Sequence, residues 1–252
     1  MELFLASEEG CSMRTDHLPF QMPPRSHSLS QEWRNLSFLH WEVAPEKLEP
    51  YIPDGLELDT FEGKAYVGTI PFMMTNVRPR LAFSVPGVST FPEFNIRTYV
   101  TRAGKSGVLF ITLDAQSLVT CTYAPRAYGL PYRYCKGEVD VDGGTYVWNS
   151  RRKEGGVGIK GSCTAIGDVM EAESGTLEEF LFERYCLYTI HKGKLCIAHT
   201  QHDPWKFREA EVRMEYNSLT GIYDFGIGDL LKPDIVHTSE GVLVHTWSVE
   251  EV

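Results

Sequence analysis

The chain has 252 residues, with 24 Lys and Arg against 34 Asp and Glu; the net charge of -10 argues against a nucleic-acid groove, which needs a basic face to release counterions. Hydrophobic residues at 42% and charged residues at 23% are the balance of a folded globular chain. No run approaches the roughly 18 apolar residues of a membrane helix, so no membrane partner is expected. The cysteines at 11, 121, 135, 163, 186 and 196 have neither zinc-type nor redox-type spacing, and no early apolar run resembles a signal peptide. Reduced thiols and a cytoplasmic address are the expectation.

Residues 1–28, with Pro19, Pro23 and Pro24 and no sustained periodicity, read as a flexible N-terminal extension outside a single domain over 29–252. From Trp33, LSFLHWEV reads as a strand, followed by a short helix between Pro45 and the Pro53-Asp54-Gly55 stop. LELDTFEGKAYVGTIPFMM reads as two strands around Glu62-Gly63, and STFPEFNIRTYVTRAGKSGVLFITLDA as two more around Ala103-Gly104-Lys105. DAQSLVTCTYAPRAYG predicts a helix capped by Asp114, stopped by Gly129 and kinked or shortened at Pro125. Strands then meet at Asp142-Gly143-Gly144, and GVGIKGS reads as a hairpin tip. Thr176 and Glu179 form a capping box ahead of LFERYCLYT, and the remainder returns to strand-like alternation. The fold class is therefore mainly β: an antiparallel β barrel or cone with a few short helices, closed to hide its edges.

Alternation along PEFNIRTYV places Glu93, Asn95, Arg97 and Tyr99 on one strand face. That face either meets water or lines an interior, where Glu93 and Arg97 need each other or a ligand to offset desolvation. His40, beside Trp41, reads as a core histidine or a pocket wall. His199 and His202 stand three apart beside Asp203, but the segment runs into Pro204 and no third ligand has supporting spacing, so no metal is expected. Cys135 reads as a buried thiol ahead of a nucleophile. There is no nucleophile elbow, phosphate loop or dinucleotide fingerprint, and no cofactor is expected.

The blocks FLHWEVAPEKLEPYIPDGLELDTFEGKAYVGTIPF, RPR, FPEFNIRTYV, LDA, LPY and HDPW, in this order, resemble the YqjF-like family. Its members are uncharacterised bacterial proteins, a domain of unknown function grouped with the acetoacetate decarboxylase-like fold. The likeness runs from about Trp33 to Val249. It implies a β barrel or cone around a small-molecule pocket, carries over no established activity, and allows a homo-oligomer through a sheet edge or the arm before residue 29.

The more distant relative, acetoacetate decarboxylase, has a glycine, an apolar residue and a proline followed by two lysines, the first of which forms a Schiff base; it is a standard case of an amine activated by its surroundings. Here Gly129, Leu130 and Pro131 precede Tyr132 and Arg133, so the imine-forming amine is missing at that place. Lys136 lies roughly 13 Å further along a strand, too far to replace it. The resemblance makes Glu93 a candidate acid or base with Tyr132 and Arg133 beside it; the polar strand face adds Arg97 and Asn95 to the candidate pocket, His40 is a candidate wall, and Arg126 and Arg78 are candidate partners for Glu93 or a ligand carboxylate. Tyr132 either hydrogen-bonds a ligand oxygen or serves as an aromatic wall, and an arginine fork matches a ligand carboxylate. Two functions stay open: binding of a small molecule without chemistry, or a non-imine acid/base reaction on a small carbonyl or carboxylate compound using Glu93.

Overall fold

Turn residues set the strand ends in the computed structural model, which describes residues 13–252. In chain order the elements are β1 (Leu29–Val43), α1 (Pro45–Leu48) with a 3-10 turn over Glu49–Tyr51, β2 (Glu57–Leu58), β3 (Ala65–Pro79), β4 (Phe91–Arg102) and β5 (Lys105–Ala115). Next come α2 (Leu118–Tyr128), β6 (Tyr132–Asp142), β7 (Thr145–Arg152), β8 (Gly158–Ala165), β9 (Met170–Glu171) and α3 (Leu177–Phe182). The chain closes with β10 (Cys186–His191), β11 (Lys194–Gln201), β12 (Lys206–Asn217), α4 (Ser218–Gly221), β13 (Ile235–Thr246) and β14 (Glu250–Glu251). The fold is mainly β, as the sequence leads one to expect.

Ala103 and Gly104, at φ 48° and 76°, make the two-residue turn that joins β4 to β5 as a hairpin. Glu62 and Gly63 turn in the same way, but β2 leaves that hairpin and pairs with β4. GVGIKGS is a hairpin tip only at its first residue: the positive-φ turn lies at Gly155 and Gly156, and Gly158 to Ser162 lie inside β8. A glycine is required there because a Cβ at Gly158 would stand 1.9 Å from the Ser150 carbonyl oxygen. Asp114 is not a helix cap either. It closes β5, and Ser117 caps α2 by accepting from the Thr120 N–H. Half of the capping box forms: Thr176 Oγ1 accepts from the Glu179 N–H, but the Glu179 carboxylate accepts from the Gly175 N–H and not from Thr176, and the helix ends at Phe182 because CLYT pairs as β10.

Among the described residues all strand pairings are antiparallel except two, β5 with β6 and β5 with β10. These two share one edge of β5: Val108 and Leu109 pair with β10, and Leu113 to Ala115 pair with β6. A register shift near Ile96 separates the two halves. One edge of β13 divides likewise, with His237 and Thr238 meeting β12 while His245 and Thr246 meet β11. The sheet therefore closes twice, through β10 and β11 on one side and through β6, β7, β8 and β12 on the other, with β13, β1, β3, β4 and β5 as the common wall.

The double closure explains why both faces of β4 are buried. Phe94 and Ile96 join the core of the β6–β8 side with Cys135, Trp148 and Ile159, while Tyr99 joins a second core with Phe38, Phe72, Phe182 and Trp205. The helix α3 contributes Leu181 and Phe182 to that second core.

β1 starts at Leu29. Residues 13–28, the described part of the expected extension, make contacts with the C-terminal half of the chain: the Arg14 N–H donates to Asp203, the Trp247 indole donates to the Arg25 carbonyl, and Arg25 pairs with Glu250. The first twelve residues of the extension lie outside the described ones. Among the described residues five cysteines are free, and no helix is long and apolar enough to cross a membrane.

Candidate functional site

Strand alternation on the common wall turns Glu93 and Arg97 toward the second core, where Glu93 keeps 2% and Arg97 8% of its surface exposed. On the far side of β5, Tyr132 begins β6 opposite Leu113, and its hydroxyl donates to Glu93 Oε2 at 2.7 Å. The small Ala115, paired with Glu93, lies on the strand between them. Burial pushes the Glu93 carboxyl up to about 7, against the opposing pull of hydrogen bonds from Tyr132 and Asn95. The Tyr132 phenol is in turn held well above its usual range, by burial first and then by Glu93.

Glu93, Arg97 and Tyr132 line one inner cavity of about 70 Å³, together with Trp33, Leu113, Phe182, Arg184, Thr200, His202 and Trp205. Arg97 does not pair with Glu93. Its Nη2 donates to the Leu181 carbonyl at 3.0 Å and to the Tyr99 hydroxyl at 3.3 Å, and its guanidinium stands over the Phe38 and Tyr99 rings. Arg97 Nε and Trp33 Nε1, both buried, have no hydrogen-bond partner. Two N–H donors of the same cavity wall are thus unsatisfied, a costly arrangement unless an acceptor enters.

His40 lies behind this wall rather than in the cavity lining. The Tyr99 hydroxyl donates to the Leu181 carbonyl, so the 2.7 Å contact with His40 Nε2 makes that nitrogen the donor and leaves Nδ1 as a buried acceptor. Burial, Arg97 and His237 hold the ring well below its usual range, which keeps it neutral. Gly68, paired with both His40 and Arg97, makes room for the ring: a Cβ there would stand 2.8 Å from Nε2.

The remaining candidates separate. Asn95 is buried beside Glu93 but does not line the cavity. Arg133 is exposed and, as the neighbour of Tyr132 along β6, lies on the other strand face and does not line the cavity. Arg126 is exposed on α2 and donates to the Thr122 carbonyl of its own helix. Arg78 lines an outer hollow and not the inner cavity. Cys135 is fully buried in the other core, with its thiol pushed up by burial.

Sequence reasoning missed Trp33, Arg184 and the pocket place of His202. Arg184 donates to Asp59 at 2.6 Å and stacks on Phe180 at 4.3 Å. The available signal was a charge set inside the apolar run LFERYCLYT. Among the described residues no group of three or more His, Cys, Asp or Glu stands close enough to hold a metal ion.

A family model described as an uncharacterized conserved protein, DUF2071, matches residues 30–243. The chain belongs to the DUF2071 family. The uncharacterized protein YqjF of Bacillus subtilis (strain 168) is 37% identical to this DUF2071 chain over 194 residues, 76% of the chain and 80% of YqjF. Acetoacetate decarboxylase from Legionella pneumophila shares the DUF2071 fold at TM-score 0.64 and 14% identity, covering 94% of this chain and 93% of its own. The enduracididine biosynthesis enzyme MppR, complexed with the condensation product of pyruvate and imidazole 4-carboxaldehyde, aligns at TM-score 0.60 and 14% identity over 96% of each chain. At these identities the two structures establish the fold alone.

Proposed function

We propose that this DUF2071 protein binds a small carbonyl compound bearing a carboxylate, and that Glu93 exchanges a proton with it without an imine. The observation that carries this reading is Glu93 itself: a carboxyl raised to about 7, bonded to Tyr132 at 2.7 Å, in a cavity whose wall holds two unsatisfied N–H donors. A general base works best when its pKa lies near the operating pH. Arg97 is a buried cation with no carboxylate partner among the described ion pairs, a charge that an anionic ligand compensates. The basic side chains in the lining are the guanidiniums of Arg97 and Arg184 and the imidazole of His202, and none of them forms a Schiff base with a ketone. The pyruvate-derived ligand of MppR belongs to the same chemical class.

In the proposed step a Glu93 carboxylate oxygen takes a proton from the carbon next to the carbonyl. The C–H electron pair becomes the carbon–carbon double bond of an enolate, and the carbonyl oxygen takes the negative charge toward the Trp33 and Arg97 donors. Return of the proton restores the ligand, so deuterium from solvent enters that carbon. Pyruvate incubated with the protein in heavy water is expected to lose its methyl proton signal, and Glu93→Gln to slow this by about a hundredfold or more. Exchange unaffected by Glu93→Gln overturns the reading, as does a pyruvate-dependent mass gain on a lysine after borohydride treatment. Binding without chemistry is favoured by one observation, the Tyr132 bond that already occupies Glu93 Oε2; pyruvate binding with no exchange decides for it.

A further inference from the structure

The inner cavity adjoins a second space, with four side chains common to both linings. Met74, Leu130, Tyr132 and Leu187 line it and also line a second hollow of about 390 Å³ between the 80–90 segment and α2. The two spaces differ in chemistry. The inner one holds Glu93, Arg97 and Arg184, whereas in the outer one Arg78 is the single charged residue among Val77, Val85, Phe91, Val119 and Tyr123. The rim is apolar and exposed, with Phe83 at 94% and Val119 at 58%. A concave apolar surface of this kind marks a binding site, and its size falls in the range of about 300–1,000 Å³ typical of ligand pockets. The inner cavity, at about 70 Å³, takes only a head of a few atoms.

We propose that the ligand is amphipathic: a carbonyl carboxylate head beside Glu93 and Arg97, and an apolar body that passes the neck at Tyr132 and fills the outer hollow. This rests on the head-group reading above and adds the class of the rest of the molecule. The shared lining argues for a ligand body over a second copy of the chain, which would cover the rim without reaching the neck. A polar body would instead leave its hydrogen-bonding groups unpaired against valine and phenylalanine.

The test is a calorimetric binding series of straight-chain 2-oxo acids, from pyruvate to 2-oxooctanoate, with sedimentation of the same samples. Affinity is expected to rise roughly fourfold per added methylene, the increment for burying one such group. Val119→Asp, on the exposed side of α2, is expected to flatten that slope. A series flat in the unmodified protein, or no binding by any member, overturns the proposal. A flat series with a dimer that Val119→Asp splits also overturns it, and assigns the apolar rim to contact between copies. Failure of the head-group reading is read separately, from proton exchange in Glu93→Gln.

Discussion

At Glu93 two opposed effects meet: burial raises its pKa, while the Tyr132 and Asn95 bonds lower it, and burial wins. The sign of the linkage follows. Between pH 4.5 and about 7 the unfolded chain has lost this proton and the folded chain has kept it, so the folded state binds more protons and stability falls as pH rises. The deficit is complete above about 7 and amounts to roughly 3 kcal/mol. Glu93→Gln is therefore expected to gain stability relative to the unmodified protein between about pH 5 and pH 8, by up to roughly 3 kcal/mol. Urea unfolding at both pH values checks this, and a constant difference across them would remove the buried charge from the account. The residue itself was legible, because alternation along PEFNIRTYV places Glu93 and Arg97 on one face. Arg133 was misplaced by the same rule: a neighbour of Tyr132 in sequence faces away from it in a strand. Trp33, Arg184 and His202 reach the cavity from distant strands and loops, and no local pattern brings them together.

The connection from α2 to β6 sets where Tyr132 points. Gly129 ends the helix at φ 72°, and a Cβ there would stand 2.4 Å from the Ile190 carbonyl oxygen of β10. Gly129→Ala thus meets both a disfavoured backbone conformation and a backbone clash, and is expected to cost about 2 kcal/mol or more. It is also expected to slow pyruvate exchange, since Pro131 and Tyr132 follow directly. Exchange at the unmodified rate in a folded Gly129→Ala protein would detach Tyr132 placement from this turn. The helix stop was readable because glycine serves the left-handed conformation. The cap was not, because Asp114 and Ser117 are both good capping residues. The choice between them was made by Arg152, a partner outside any sequence window.

Across the whole molecule, the division of β5 and β13 produces two large cores on either side of one wall, with smaller clusters beside them. Its charged tie is Asp114, fully buried, which accepts from Arg152 Nε at 2.6 Å and from Nη2 at 2.8 Å and so links β5 to β7 past β6. Removing one partner of a buried pair leaves the other charge uncompensated, so Asp114→Ala is expected to cost about 3–5 kcal/mol in urea unfolding. A loss under about 1 kcal/mol would show that the pair contributes no more than a surface one. A mainly β fold was readable from alternation and turn residues, but the double closure was not. Which strands share an edge depends on pairings between residues far apart in the chain, such as Tyr188 with Leu109.

The central claim is that the common wall carries a carboxyl poised to take up and release a proton near neutral pH. Its most direct measurement is the carbon NMR titration of the Glu93 side-chain carboxyl, assigned by its loss in Glu93→Gln, with and without pyruvate. The account predicts a midpoint at about 7 that moves when pyruvate binds. A midpoint at the ordinary 4.5 with no response to pyruvate would contradict it.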